Sequence, residues 1–485
     1  MAKTAFFSFL FFSLLISGFA KPLSYQTLTV GSLPKQPTHN PDDLSWTESQ
    51  TVSLPEETDS ILTVRLEHRD ALAVNATPES LFSLRLQRDA VRAKTLTATA
   101  TAGSNAGNRI NGRNATRVHG NDFSSSVTSG LSQGSGEYFT RLGVGTPPRY
   151  VYMVLDTGSD IVWLQCLPCL KCYTQSDPIF DPKRSSSFHG LPCNAPVCRN
   201  LDVSGCNKKN SCLYQVSYGD GSFTVGEYSM ETLTFRGTKV GNVAFGCGHD
   251  NEGLFVGAGG LLGLGRGKLA FPAQAAQGTK FGSKFSYCLV DRTSSKTASP
   301  SSIVFGESSV SKKAVFTTMI SNPRLDTFYY LELIGLSVGG ARVQGITASL
   351  FKLDPAGNGG VIIDSGTSVT RLTHLAYIGL RDAFRVGTKG LKSAPQFSLF
   401  DTCYDLSGQT EVKVPTVVMH FGGGADVALP AANYLIPVNS KGTFCFAFAG
   451  TSGGLSIIGN IQQQGFRVVF DNAGSRIGFA SHGCA

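Results

Sequence analysis

A chain of 485 residues is too long for one small core, so its length alone predicts at least two domains. Only 16% of the residues are charged, 41% are hydrophobic and 55 are glycines, which excludes a disordered or coiled-coil protein and favours a globular, strand-rich one. The net charge of +8 is small for this length and is not clustered, so the sequence predicts no nucleic-acid partner.

Residues 1–20 have the pattern of a secretory signal peptide. Lys3 lies near the start, an apolar run follows from Phe6 to Ile16, and the small residues Gly18 and Ala20 precede the expected cleavage site. No later stretch approaches the ~20 apolar residues that a membrane-spanning helix needs. The sequence therefore predicts entry into the secretory pathway and no membrane span.

Residues 21–125 contain no cysteine and differ in composition from everything after them. The stretch from Leu62 to Arg69 alternates like a strand, residues 81–91 form a basic amphipathic helix pattern, and residues 95–126 are poor in apolar side chains and loop-like. We expect a removable propeptide, and the alternative is a flexible N-terminal arm that stays on the protein.

Two N-glycosylation sequons, at Asn75 and Asn114, lie in this segment, and none follows from Val127 onward. Removal of the segment would therefore leave a protein without an N-glycan.

Two motifs of one pattern organise the rest of the chain. Apolar residues lead into Asp156-Thr157-Gly158-Ser159 and continue from Ile161 to Trp163, and Val361 to Ile363 leads into Asp364-Ser365-Gly366-Thr367. An apolar approach and exit around a small polar turn predict strand, tight loop and strand, with the carboxylate at the apex. One such loop is ordinary turn chemistry, but two in apolar frames indicate a paired function.

The surroundings of the two motifs also repeat. Roughly a hundred residues after each motif come two apolar residues and a glycine, Leu261-Leu262-Gly263 and Ile457-Ile458-Gly459. This internal repeat predicts a mostly β fold with two related lobes facing each other across a cleft, spanning residues 126–320 and 321–485. The glycine-rich run from Gly257 to Gly267 lacks a Gly-Lys-Ser/Thr ending, so we expect packed strand and turn there and no nucleotide site.

Three further elements can be predicted from local patterns. The turn at residues 145–148 closes a hairpin that delivers Asp156, and Gly219-Asp220-Gly221 closes a second hairpin between alternating strands. A helix follows the second motif, because apolar residues from Leu372 to Phe384 fall on one face.

All twelve cysteines lie between Cys166 and Cys484. An even count behind a signal peptide indicates disulfides. The spacing of Cys166, Cys169 and Cys172 is also found in zinc and iron–sulfur sites, but in an oxidising compartment we expect no metal.

Two carboxylates on opposed loops cannot both ionise cheaply, so they share one proton. The ionised member can act as general base on a water between them, while the protonated member polarises the scissile carbonyl; aspartic proteases are the standard example of such a dyad. No cofactor is needed. Ser159 and Thr367 can hydrogen-bond the carboxylates, and Gly158 and Gly366 permit close backbone approach.

The chain from about Gly136 to Cys484 resembles the pepsin-like aspartic proteases. The resemblance implies that Asp156 and Asp364 are catalytic, that Thr157 and Ser365 hydrogen-bond across the lobes, and that Tyr218 lies on a mobile flap where Trp163 hydrogen-bonds it. Ser365 stands where pepsin has threonine, which keeps the hydroxyl and loses a methyl. The flap sequence and cysteine number are similar to the plant nepenthesin-like branch and to the aspartic proteases named for guard cells.

The same resemblance implies six disulfides, which the spacing alone could not supply. They are Cys166–Cys169, Cys172–Cys247, Cys193–Cys212, Cys198–Cys206, Cys288–Cys484 and Cys403–Cys445. It also implies a monomer that acts on polypeptide substrates in the extracellular space (apoplast or cell wall), with the vacuole as second choice.

Three functions compete for this sequence. The first is a secreted acid endopeptidase, kept as a zymogen if Arg85, Arg88 and Arg92 pair with the catalytic carboxylates until acid releases them. The second is a catalytically silent binding protein of the same fold that inhibits cell-wall glycosidases. The third is a glycosidase that uses Asp156 and Asp364 as its acid/base pair, and it has only the two carboxylates in its favour. The intact pair of aspartates favours the protease.

Overall fold

The computed structural model describes residues 23–33, 62–72, 76–105, 138–218, 222–235, 238–253, 255, 257–279, 281–290 and 301–484. The predicted signal peptide, Asn75, Asn114 and the flap turn at residues 219–221 lie outside these ranges. None of the helices within them combines the length and the apolar character needed to cross a bilayer.

Strands dominate the fold. The N-terminal segment contributes β1 (Tyr25–Thr29), β2 (Leu62–Arg65), β3 (Glu67–His68) and the helix α1 (Pro78–Asn105). The part of the chain carrying the first motif contributes β4 (Tyr138–Val144), β5 (Arg149–Asp156), β6 (Trp163–Gln165), β7 (His189–Gly190), α2 (Pro196–Arg199), β8 (Ser204–Cys206), β9 (Cys212–Ser217), β10 (Phe223–Phe235), β11 (Thr238–Glu252), β12 (Gly260–Gly263), α3 (Phe271–Gly278), β13 (Lys284–Cys288), β14 (Ser302–Phe305) and β15 (Val315–Ile320).

The part carrying the second motif contributes β16 (Tyr330–Leu331), β17 (Leu333–Val338), β18 (Ala341–Arg342), β19 (Val361–Ile363), β20 (Thr370–Thr373), α4 (His374–Gly387), β21 (Ser393–Ala394), β22 (Cys403–Asp405), β23 (Glu411–Pro415), β24 (Val417–Phe421), β25 (Asp426–Leu429), β26 (Leu435–Pro437), β27 (Thr443–Phe446), β28 (Phe448–Thr451), β29 (Ser456–Ile458), α5 (Asn460–Gln463), β30 (Arg467–Asp471) and β31 (Arg476–Ala480).

The two motifs sit in the same strand arrangement, as the sequence repeat predicts. In the first, β12 lies between β5 and β6 and runs parallel to β5, with Gly263 beside Asp156. In the second, β29 lies between β19 and β20 and runs parallel to β19, with Ile458 beside Ile363. Both glycines that follow the apolar pairs are sterically required, because a Cβ on Gly263 or Gly459 would lie 2.4 or 2.6 Å from neighbouring backbone.

Helix α1 is much longer than the sequence pattern predicts. The expectation of a loop over residues 95–126 was wrong for residues 95–105, since the helix continues to Asn105, and residues 106–126 lie outside the described ranges. Threonine normally disfavours helices because its hydroxyl competes for backbone partners. Here the hydroxyls of Thr95, Thr97 and Thr101 donate to the carbonyls four residues earlier, at 2.8–3.0 Å, so they are satisfied within the helix.

The N-terminal segment is incorporated into the sheets of the rest of the protein. Strand β1 pairs along its length with β23, β2 pairs with β14, and β3 pairs with β4. Helix α1 buries Phe82 and Leu86 against one apolar cluster of the second lobe, and Ala93 and Leu96 against another. The described parts of this segment therefore pack against the rest of the protein.

Helix α4 follows the second motif as predicted and buries Ala376, Leu380 and Phe384. Leu375, which the pattern also placed on the buried face, is 68% exposed.

Two of the six expected disulfides are confirmed, Cys288–Cys484 and Cys403–Cys445. The other four pairs were wrong. The structure has Cys166–Cys247, Cys169–Cys172, Cys193–Cys206 and Cys198–Cys212.

Sheet register explains the exchange of the first two pairs. Strand β11 runs parallel to β6 with Cys247 beside Leu164, and the Cys166 amide donates to Gly248 at 2.8 Å. Cys166 is thereby brought next to Cys247, with 5.3 Å between the Cα atoms, and Cys169 is left to pair with Cys172.

Candidate active site

The two motif aspartates lie at the ends of equivalent strands and face the same cleft. Asp156 is the last residue of β5, and Asp364 follows directly after β19, where its amide donates to Ile458 at 3.1 Å. Only 1% of Asp156 and none of Asp364 is exposed in the presence of the N-terminal segment. Apolar flanking strands thus hold two carboxylates in a buried setting, as the sequence pattern predicts.

Hydroxyl groups connect the two loops directly. The Thr157 Oγ1 accepts a hydrogen bond from the Ser365 amide at 2.9 Å, and the Ser365 hydroxyl and Asp364 Oδ1 both lie 3.2 Å from it as acceptors for its one proton. The expected cross-lobe contact is therefore present on the Thr157 side with serine at position 365. Because each loop fixes the other, the distance between the carboxylates is set by the fold.

The outer hydroxyls of the motifs differ from the prediction. Thr367 Oγ1 donates to Asp364 Oδ2 at 2.5 Å, as expected. Ser159, its counterpart, does not bind Asp156, and among the described residues its buried hydroxyl has no hydrogen-bond partner. Asp156 instead accepts the Gly158 amide at 2.9 Å.

The flap contact predicted for Trp163 and Tyr218 is present. The indole Nε1 donates to the tyrosine hydroxyl at 2.8 Å. Phe255 packs edge-on against both rings, with centroids 5.1 Å from Trp163 and 6.3 Å from Tyr218. Strands β9 and β10 form the predicted hairpin beneath this tyrosine.

An arginine from helix α1 occupies the space between the aspartates. Arg92 donates from Nε to Asp364 Oδ2 at 2.6 Å and from Nη2 to Asp364 Oδ1 at 2.7 Å, and the same Nη2 forms a short hydrogen bond to Asp156 Oδ1. The motif glycines leave room for this guanidinium, because a Cβ on Gly158 or Gly366 would lie 2.7 or 2.4 Å from Arg92 atoms. One cation thus binds both carboxylates.

The charge of Arg92 changes the acidity of its partners. Burial by itself raises the pKa of Asp364, but the positive charge and hydrogen bonds of Arg92, with the bond from Thr367, outweigh it and hold this pKa below its usual value. Burial alone lowers the pKa of Arg92, and the two carboxylates more than compensate and raise it. The contact is therefore a charged one at neutral pH.

Helix α1 makes two further polar contacts beside the aspartates. Arg85 donates to the Ser368 hydroxyl at 3.0 Å and to Asn460 Oδ1 at 3.2 Å. Asp89 accepts the amides of Ser368 and Val369. Of the three arginines named from sequence, Arg92 contacts the carboxylates, Arg85 contacts Ser368 and Asn460, and Arg88 is buried.

Sequence reasoning missed Asp89. Its spacing from Arg85 and Arg92, four and three residues, places all three on one helix face, and that pattern would have identified it.

No cluster of three metal-ligating side chains occurs in the described part of the chain.

Comparisons with known proteins place this geometry in context. Two family models match, one described as "Xylanase inhibitor N-terminal" over residues 138–307 and one described as "Xylanase inhibitor C-terminal" over residues 328–481. The chain is 63% identical over 493 residues to "Aspartyl protease family protein 2" of Arabidopsis thaliana, covering 100% of this chain and 99% of that protein.

Two more relatives are similar over most of their length. "Protein ASPARTIC PROTEASE IN GUARD CELL 2" of Arabidopsis thaliana is 46% identical, with 88% of this chain and 89% of that protein covered. "Aspartic proteinase nepenthesin-1" of Nepenthes gracilis is 42% identical, with 74% and 81% covered. These relatives confirm the resemblance inferred from the motifs.

Solved structures confirm the mostly β, two-lobed fold. The crystal structure of edgp matches with a TM-score of 0.59 at 21% identity, covering 71% of this chain and 91% of that one. Conglutin gamma, a basic 7S globulin from lupine seeds, matches with a TM-score of 0.56 at 19% identity, covering 72% and 92%. At these identities the likeness concerns the fold alone.

Proposed function

Because this chain belongs to the pepsin-like aspartic proteases of plants, and its enzyme class is that of an aspartic endopeptidase, we propose that it hydrolyses peptide bonds in acid with Asp156 and Asp364 and is made as a secreted zymogen. One observation carries the proposal: a single nitrogen, Nη2 of Arg92, hydrogen-bonds both carboxylates. The two groups therefore face each other across a space that a water molecule can fill once the arginine has left.

The dyad supplies the chemistry without a metal or cofactor. In the released site the two carboxylates share one proton, as in other aspartic proteases, because a second ionisation beside the first is costly. The ionised member removes a proton from the water, which attacks the scissile carbonyl, while the protonated member donates to the carbonyl oxygen. A proton then passes to the departing amine. The hydrogen bonds of Thr157 with Ser365 and Asp364 hold the two carboxylates in position during the reaction.

Helix α1 supports the zymogen part of the proposal. While Arg92 binds the dyad, water and substrate are excluded from it. The pKa of Asp364 is lowered by this contact, so the contact is fully present above the ordinary aspartate pKa of about 4 and is lost as pH falls through the lowered value. Acid therefore releases the helix by protonating the carboxylates.

Substitution of Arg92 tests this mechanism. In the full-length chain, Arg92→Gln leaves two buried carboxylates without their cation, and we expect docking of the helix to weaken by about 3–5 kcal/mol. Activity should then appear at a pH higher than the wild type requires. Lys94→Gln, on the exposed face of the same helix, is the matched control and should behave as the wild type. Identical activation by both variants would contradict the proposed release.

Secretion is proposed from the N-terminal pattern and the disulfides. The twelve cysteines form six pairs in the structure, and such pairs persist in oxidising compartments. The protein would lie in the apoplast or cell wall, with the vacuole as the second location. A C-terminal fluorescent fusion, compared with one lacking residues 1–20, tests this, and retention of both in the cytosol would refute it.

A second candidate function follows from the names of the matching family models, which describe a xylanase inhibitor. In that case the fold would bind a glycosidase and perform no hydrolysis. The intact dyad, its supporting hydroxyls and the flap tyrosine favour the protease, since a binding protein does not need them.

Cleavage of a denatured protein substrate separates the two functions. The acid-treated protein should cleave it at acidic but not at neutral pH, a statine-type inhibitor should block cleavage, and Asp156→Asn should abolish it. Asp382→Asn, an exposed carboxylate on α4, is the control and should cleave normally. A folded, processed protein that cleaves nothing at any pH but inhibits a xylanase would establish the second function instead.

A further inference from the structure

Asp89 of helix α1 is bound by three donors on the wall of the cleft. Its Oδ1 accepts the amide of Ser368 at 2.6 Å and the amide of Val369 at 2.9 Å. Its Oδ2 accepts a hydrogen bond from Nη2 of Arg371 at 2.5 Å. Two backbone N–H groups and a guanidinium around one carboxylate form a complete anion-binding site, which this helix fills from outside the catalytic lobes.

Arg371 is built into the cleft wall and cannot follow the helix when it leaves. It lies in β20, where its backbone pairs with Ala449 on one side and Ile457 on the other. The residue is only 9% exposed, and its buried Nε has no hydrogen-bond partner among the described residues. Asp89 is the carboxylate that the structure places on it within the described part of the chain.

Departure of α1 therefore leaves the Arg371 cation, buried while the helix is in place, and two backbone donors without their anion. An uncompensated buried charge is unfavourable, and water that enters the site replaces the carboxylate only in part. A site of this kind binds a new carboxylate more readily than an exposed arginine would, because its donors are fixed and the cost of their desolvation has already been met in folding.

The site lies near the aspartates, on the surface that helix α1 covers. Ser368 is four residues after Asp364, and Asp89 is three residues from Arg92 on the same helix face. Three helical residues span about 4.5 Å. An extended peptide rises ~3.3 Å per residue, so this separation corresponds to between one and two residues, and a substrate running along the cleft would reach the site within about three residues of the scissile bond.

We propose that the Ser368 and Val369 amides and Arg371 form a substrate subsite for an acidic side chain, occupied by Asp89 in the zymogen and by a glutamate or aspartate of the polypeptide substrate in the activated enzyme. The proposal rests on the proposed protease function and adds a specificity to it. Arg371 is then a specificity-determining residue, and Asp89 is an internal mimic of the substrate.

Matched peptide substrates test the subsite in the activated enzyme. A cleavable peptide is made with glutamate or glutamine at each of the four positions on either side of the scissile bond in turn, and kcat/KM is measured at a pH where glutamate is ionised. At one position within about three residues of the bond, glutamate should be preferred about tenfold, the usual effect of a charge-assisted hydrogen bond.

The variant Arg371→Gln should bring that glutamate-to-glutamine ratio close to one, and Arg371→Lys should keep part of it. Each ratio is measured within one enzyme, so a general loss of activity or of folded protein does not affect it. Arg381→Gln is the matched control, because Arg381 of α4 pairs with Asp382 and Asp401 and not with the proposed subsite, so this variant should retain the full ratio.

The outcomes separate the subsite from the protease function. Cleavage of all peptides with no preference for glutamate at any position, or a preference that Arg371→Gln leaves intact, would overturn the subsite and leave the protease standing.

Absence of all cleavage would overturn the protease. In that event, binding of a peptide spanning residues 76–105 to the processed protein still decides whether the site takes a carboxylate. Asp89→Asn in that peptide should weaken binding about tenfold on the wild type and not on Arg371→Gln, and equal weakening on both would refute the site.

Discussion

The two aspartate loops share a sequence pattern but make different contacts at their fifth residue. In the first loop this residue is Asp160, whose carboxylate accepts the Gly267 amide at 2.9 Å and the Thr327 hydroxyl at 2.7 Å. In the second it is Ser368, whose hydroxyl and amide face Arg85 and Asp89 of helix α1. The fifth residue of the first loop thus bonds within the catalytic lobes, and that of the second loop bonds helix α1.

The carboxylates show the same asymmetry. Asp364 receives two hydrogen bonds from Arg92 and one from Thr367, whereas Asp156 receives one from Arg92 and none from Ser159. Both loops therefore contact α1, but the second loop makes more hydrogen bonds to the helix than the first. Substitutions in the two loops should therefore have different effects on docking of α1, on stability and on activity.

The largest difference should appear when each aspartate is replaced in the full-length chain. Asp364→Asn removes the charge that accepts two of the three Arg92 bonds and should weaken docking of α1 by about 2–4 kcal/mol. Asp156→Asn should weaken it by about half as much. Hydrogen exchange of the α1 amides at neutral pH measures both. Equal loss of protection in the two variants would show that the helix does not distinguish the loops.

Asp160 should make the first loop sensitive to pH. Burial raises the pKa of Asp160 to about 6, although the bonds from Thr327 and Gly267 oppose the shift. Since the folded-state pKa is above the unfolded one, the stabilisation from protonated Asp160 is complete below about pH 4 and is lost as the pH rises through about 6. Asp160→Asn should reduce the change in unfolding free energy across this window by an amount on the order of 1–3 kcal/mol. Denaturant unfolding at several pH values checks this, and parallel curves for both proteins would contradict it.

The outer hydroxyls should give the smallest difference. Thr367→Val removes a hydrogen bond to ionised Asp364 worth about 1–2 kcal/mol, so the pKa of that carboxyl should rise and the acid limb of kcat/KM should move to higher pH. Ser159→Ala removes a hydroxyl that has no partner among the described residues, so the acid limb should stay in place. A shift of similar size in Ser159→Ala would mean that this hydroxyl binds Asp156 in the activated enzyme.

Much of the site could be predicted because it is local. The two Asp-hydroxyl-Gly turns, the strands that lead into them and the hairpin carrying Tyr218 depend on residues close together in sequence, and alternation and turn chemistry show them directly. The resemblance added the partnership of Trp163 with Tyr218 and of Thr157 with Ser365, and both contacts are present.

What could not be predicted depends on contacts between distant residues. The threonine-rich end of α1 has a poor intrinsic helix propensity, and it is helical because its apolar face packs against the second lobe while its hydroxyls bond within the helix. The pairing of Cys166 with Cys247, across 81 residues, follows from the register of β6 against β11, and no spacing rule contains that register.

The sequence by itself determined the repeated β lobes, the two carboxylates and their turns, because each is encoded in a short pattern of apolar, small and acidic residues. Only the tertiary structure decided which arginine binds the dyad, which loop faces the cleft, and that Asp89 meets Arg371 across 282 residues of chain. The physical reason is that charges pair by proximity in the folded protein, and proximity between distant segments is set by packing and strand register, which no local pattern specifies.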